Sequence, residues 1–136
     1  MGDFADGEDR NGISAGSLPP AVLIVEDEEL VRISNCDKLE QAGLSVLEAA
    51  DADQAMALLE AHPEIRVLVT DVRMPGWMSG IDLARQAEKR WPEISIIVTS
   101  AFYTAGESDL PENMTLLPKP FAPEKLLNQV RLLLRR

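Results

Sequence analysis

The chain has 136 residues, 46% of them hydrophobic, and a formal net charge of -10 at pH 7. That length supports one domain with a real core, and the acidity excludes nonspecific nucleic-acid binding, which needs a basic surface against the phosphates. A single cysteine, Cys36, excludes an intramolecular disulfide and any Cys/His zinc spacing.

Residues 1–20 are rich in Gly, Asp and Ser with little apolar periodicity, and are expected to be a flexible tail ending at Pro19-Pro20. From Ala21 onward, short apolar runs alternate with helical patterns: the runs are 21–25, 45–47, 67–70, 94–99 and 114–117. Strands alternating with helices imply βαβ units and a parallel sheet. The first helix is expected over 28–43, although Ser34 and Asn35 fall where a more apolar face belongs. Asp51 can cap the second, with Gln54 completing a box-like start, and Ala52, Ala55, Met56 and Leu59 form its inner face. The third carries Gly80, Leu83, Ala84, Ala87 and Trp91 inward, and Pro92 stops it. Residues 102–113 should hold a crossover helix, but Gly106, Pro111 and several acids predict a short or irregular one. The last helix starts at Pro123, a favoured first helical position, with the stripe Leu127, Val130 and Leu134. Its terminal Arg131, Arg135 and Arg136 suit the negative end of the helix dipole. The lone His62, before Pro63, reads as a surface or capping residue.

No apolar run reaches the roughly 18 residues of a membrane span. The N-terminus lacks the basic-then-apolar layout of a signal peptide, so membrane insertion is not expected and the cytoplasm is the default location.

The chemistry-bearing residues sit at strand ends. Leu68-Val69-Thr70-Asp71 is a β-branched run ending in a carboxylate, followed by Val72-Arg73-Met74-Pro75-Gly76. Val22-Leu23-Ile24-Val25 ends in Glu26-Asp27, and the last run ends in Pro118-Lys119-Pro120-Phe121. Open α/β sheets bind ligands outside the carboxyl ends of their strands. Three acids and a lysine there make a site for a divalent cation and a phosphoryl group. Mg²⁺ wants oxygen ligands and keeps several waters, and it relieves the mutual repulsion of Glu26, Asp27 and Asp71. Asp71 can then take a phosphoryl group as an acyl phosphate, with Lys119 and the Ser100 hydroxyl meeting the phosphoryl oxygens. Taken singly, Glu26-Asp27 could cap the following helix, Asp71 could be a turn residue, Lys119 a surface lysine, and Ser100 an ordinary strand-end hydroxyl. Their conjunction at successive strand tips argues for a site.

Glu26-Asp27, Asp71 through Gly76, Ser100-Ala101 and Lys119-Pro120-Phe121 together resemble the receiver domain of bacterial two-component response regulators, over residues 21–136. The resemblance implies a flavodoxin-like (βα)5 three-layer sandwich, with a parallel five-stranded sheet in the order 2-1-3-4-5. It implies that Asp71 is the phosphoacceptor, Asp27 a direct metal ligand, and Glu26 an acid reaching the metal through water. Arg73 would offer its backbone carbonyl to Mg²⁺ (or Mn²⁺ in its place), Ser100 would be the switch hydroxyl, and Lys119 the phosphoryl-contacting lysine. The Lys119–Pro120 bond matches one that is cis in the family. The implied partners are a sensor histidine kinase or histidine phosphotransfer protein and a downstream protein target, with the chain a monomer or a phosphorylation-dependent homodimer. It would be a switch with only self-phosphorylation and self-dephosphorylation activity.

The chain departs from the family pattern at several places. The position three before the lysine is often aromatic, and here it is Leu116, which cannot supply a polar-tipped ring. Arg73 and Phe102 occupy positions that tune dephosphorylation in the family, where they are expected to hinder or orient attacking water. The loop 75–80 is one residue longer than the commonest version. Nothing resembling an output domain follows Arg136, so the chain is either a single-domain regulator, which Met1 and the tail slightly favour, or a fragment of a longer regulator or hybrid kinase. Two competing readings stand beside this one. A degenerate receiver would act as a phosphorylation-independent binding module. An aspartyl-nucleophile phosphohydrolase usually carries a second acid two residues after the nucleophile, where this chain has Arg73. No Gly-rich phosphate loop supports a nucleotide-binding flavodoxin-like protein.

Overall fold

The five apolar runs are strands of one parallel sheet in the computed structural model, which describes residues 19–74, 78–101 and 114–135. The strands are β1 (Ala21–Val25), β2 (Ser45–Ala49), β3 (Ile65–Asp71), β4 (Ser95–Ser100) and β5 (Met114–Pro118), arranged 2-1-3-4-5. The helices are α1 (Glu29–Gln41), α2 (Ala52–Ala61), α3 (Gly80–Arg90) and α4 (Pro123–Leu134). This is the flavodoxin-like order expected from the sequence. Element ends differ from the sequence expectation by a residue or two, as ends commonly do. Most of the tail and the segment 102–113 lie outside the described residues.

Alternation along the strands makes two cores. Leu23, Val25, Leu68, Ile96 and Val98 face α2 and α3 through Ala55, Leu59, Leu83 and Ala84. Val22, Ile24, Val67, Val69 and Ile97 face α1 and α4 through Leu39, Leu126 and Val130. The sheet, covered on both faces, therefore reads as near-continuous apolar runs rather than a clean alternation.

The expected start of α2 holds. Asp51 accepts from the Gln54 amide at 2.9 Å, and the Gln54 side chain accepts from the Ala50 amide at 2.9 Å. Ser79 and Asp82 form a capping box on α3. His62 ends α2 and pairs with Glu64 at 3.0 Å.

Three details depart from the sequence reading. Met56 and Trp91 are only partly buried, at the border of their core. Helix α4 buries Leu126, Leu127, Val130 and Leu133, while Leu134 is half-buried. The run Leu132-Leu133-Leu134 leaves the helical phase open, and packing on the sheet selects Leu133. Helix α1 buries Asn35 with Cys36 and Leu39, as its position implied, but leaves Ser34 exposed and Leu30 80% exposed. Burial, ahead of the neighbouring acids Glu48 and Glu40, pushes the Cys36 thiol up to about 12, so it stays protonated and inert in the core.

Candidate functional site

Strand register gathers the site. Val25 lies level with Thr70, so Glu26, the residue just past β1, stands beside Asp71 at the end of β3. Asp71 is level with Thr99, and Ser100 with Pro118, the residue before Lys119. The sheet edge is tied beyond the last paired residues. The Glu26 amide donates to the Ala49 carbonyl at 3.0 Å, the Val72 amide to Thr99 at 2.9 Å, and the Lys119 amide to Ser100 at 2.8 Å. A cis peptide joins Lys119 to Pro120, as the resemblance implied.

Within this frame one cation holds two acids. Lys119 Nζ donates to Glu26 Oε1 at 2.8 Å and to Asp71 Oδ2 at 3.0 Å. The other Glu26 oxygen accepts from the Glu28 amide at 3.1 Å, and Asp71 Oδ1 accepts a longer bond from the Arg73 amide at 3.4 Å. Glu26 and Asp71 are buried, while Asp27 is exposed. One oxygen from each of Glu26, Asp27 and Asp71 lies within 4.8 Å of the others. Three carboxylate oxygens at that spacing, one open to water, fit a hard divalent cation that retains part of its hydration. Ser100 is buried at the tip of β4, and Arg73 is exposed just past β3.

The electrostatics follow from burial. Desolvation pushes the Glu26 carboxyl above its ordinary 4.5, and the hydrogen bonds from Lys119 and the Glu28 amide offset only part of that. Burial alone would lower the Lys119 ammonium, but its hydrogen bonds to Glu26 and Asp71, with their charges, outweigh it and raise it above 10.5. A raised Glu26 means that the native state favours the protonated form. That contribution to stability is complete below pH 4.5 and is lost as pH rises through the raised value. At neutral pH the charged carboxylate costs stability. Glu26→Gln is therefore expected to raise the urea midpoint of the cation-free protein at pH 7. A lowered midpoint would mean that the Lys119 pairing outweighs the burial cost.

Sequence reasoning named every residue of this cluster but missed one member of its surroundings. Arg32 of α1 donates from Nη1 to the Glu26 carbonyl at 2.7 Å. An i+4 offset from Glu28 was the available signal, but nothing in the sequence says that an arginine on a surface helix turns back to a strand tip.

The family model of the response regulator receiver domain matches residues 22–131. Response regulator receiver protein CpdR of Brucella abortus (strain 2308) is 32% identical over 116 residues, covering 83% of this chain and 95% of that protein. Sensor kinase CckA of the same organism is 35% identical over 119 residues, covering 85% of this chain but only 12% of the kinase. Among solved structures, a CheY-like response regulator receiver domain protein from Methanospirillum hungatei JF-1 superposes with a TM-score of 0.79 at 26% identity, covering 87% of this chain and 95% of that one. With the strand order, the acids and lysine at the strand tips, and these matches, the chain belongs to the response regulator receiver domain family of two-component systems.

Proposed function

We propose that Asp71 accepts a phosphoryl group from a phosphohistidine on a sensor histidine kinase or histidine phosphotransfer protein, and that the acyl phosphate so formed switches protein–protein contacts. The observation that carries this reading is the bridge of Lys119 between Glu26 and Asp71 at one strand-tip cluster, with Asp27 beside them. In the transfer, an Asp71 carboxylate oxygen attacks phosphorus, the P–N bond breaks, and its electron pair leaves on the imidazole nitrogen. Lys119 neutralises charge on the phosphoryl oxygens, and the Ser100 hydroxyl donates a hydrogen bond to one of them. Glu26, Asp27, Asp71 and the Arg73 backbone carbonyl would hold Mg²⁺, with Mn²⁺ as a substitute. Bound there, the ion supplies charge neutralisation of the equatorial oxygens. Self-phosphorylation from small donors and self-dephosphorylation are the only activities proposed; the chain is a switch, not a turnover enzyme.

Beside the cluster, α1 and the segment after β5 border a groove of about 400 Å³, lined by Leu30, Val31 and Phe121. Its apolar walls and the exposed Leu30 support docking of a partner protein next to Asp71. Residues 21–136 are proposed as the receiver unit, with 1–20 as a tail. Among the described residues no helix is long and apolar enough to cross a membrane; the cytoplasm is the proposed location.

Intact mass after incubation with a small phosphodonor, with and without Mg²⁺, tests the reading. One phosphoryl group should add, only with the cation, and not in Asp71→Asn. A folded protein that gains none from two different donors would favour the phosphorylation-independent binding module.

A further inference from the structure

Arg32 lies outside the carboxylate cluster, yet it is tied to it by main chain. Its side chain is 16% exposed, and Nη1 reaches the Glu26 carbonyl at 2.7 Å, a short charge-assisted bond. Its Nε binds Glu48 Oε1 on β2 at 2.9 Å. The arginine is therefore clamped from two sides. Glu48, half-exposed on the edge strand, orients the guanidinium, and the guanidinium holds the carbonyl that precedes Asp27. That carbonyl belongs to the peptide linking Glu26 and Asp27, so its position sets where both side chains leave the main chain. At the turn, the Glu26 amide is fixed to the Ala49 carbonyl and the Glu28 amide to the Glu26 carboxylate.

We infer that Arg32, oriented by Glu48, is a positioning residue that fixes the Glu26–Asp27 peptide so that both carboxylates converge with Asp71 on a divalent cation. The inference rests on the proposed cation site and adds to it a residue that no motif names. Its sign separates it from plain electrostatics. A cation near three acids repels a second cation, so a charge-only role predicts that removing Arg32 tightens metal binding. A positioning role predicts the reverse, because loss of a group that orients a metal ligand commonly costs 10–100-fold in affinity.

The test compares the full chain with Arg32→Ala and Arg32→Lys by two readouts. In the cation-free protein, NMR amide exchange at Glu28 should quicken in Arg32→Ala, while the core amide of Ile97 stays protected. In a Mn²⁺ titration, affinity should fall about tenfold in Arg32→Ala and recover in part in Arg32→Lys, which keeps one donor and the charge. The inference is overturned if Glu28 exchange is unchanged in Arg32→Ala. It is equally overturned if Mn²⁺ binds that variant as tightly as the wild type or more tightly. Should the wild type bind no Mn²⁺, the cation reading fails, and the Glu28 exchange still decides whether Arg32 holds the turn.

Discussion

Lys119→Met should destabilise the cation-free protein by about 2 kcal/mol, the scale of a lost hydrogen bond to a charged group, and Mg²⁺ should return much of that stability. Lys119 is the ammonium bound to both Glu26 and Asp71, whose side chains are 4% and 11% exposed. Its removal leaves two buried carboxylates facing each other. Breaking a fully buried pair costs roughly 3–5 kcal/mol, but Lys119 is itself 19% exposed, so water reaches the site and moderates the loss. The pH dependence has a definite sign. Lys119 is raised above 10.5, so its contribution is complete below that value and is lost as pH rises through the raised one. Lys119→Met should therefore be less stable than wild type throughout neutral pH, and the difference should shrink only above pH 10.5. Urea midpoints with and without Mg²⁺ measure both effects. Equal midpoints without cation would mean that the two ion pairs contribute nothing net.

Gly80→Ala is expected to cost about 3 kcal/mol, the upper end for forced overpacking, and to slow phosphoryl uptake in the molecules that remain folded. The reason is space. Gly80 opens α3 beneath the tip of β3, and its amide donates to the Val72 carbonyl at 2.9 Å. A Cβ there would overlap the backbone carbonyl of Asp71 and crowd Thr70 Oγ1 at 3.0 Å. No flexible side chain can yield, so either α3 retreats from the sheet or the proposed acceptor strand moves. Denaturation midpoints measure the first cost, and the initial rate of phosphoryl addition per folded molecule measures the second. A variant matching wild type in both would show that the helix start can shift without disturbing Asp71.

Much of this architecture is legible in the sequence because buried parallel strands must be apolar on both faces. Val22-Leu23-Ile24-Val25 and Ile96-Ile97-Val98 read as strands for that reason. The acids and lysine stand out because the apolar runs end abruptly on them. Helix α2 was readable from the Asp51 cap and α3 from its apolar face and the stop at Pro92, while the Ser79–Asp82 capping box that starts α3 went unread. Helix α1 was harder: Asn35 is buried where its position placed it, but Ser34 and Leu30 are exposed, so residue type marks the inner face poorly. In α4 three consecutive leucines leave the phase open, and only the sheet selects Leu133 over Leu134. At the site, residue types were legible but contacts were not. That Lys119 pairs with Glu26 as well as Asp71, and that Arg32 reaches the Glu26 carbonyl, depends on side-chain paths across β1, β3 and β5.

Glu26, Asp27 and Asp71 lie so close together that mass gain alone does not say which carboxylate carries the phosphoryl group. Borohydride reduction of the phosphorylated protein, followed by peptide mapping, reads the acceptor directly, because an acyl phosphate is reduced to an alcohol where a free carboxylate is not. Homoserine at position 71, formed only after treatment with donor and Mg²⁺, is the expected result. Reduction at position 26 or 27, or none in a protein that has gained the mass, would contradict the assignment of Asp71 as the phosphoacceptor.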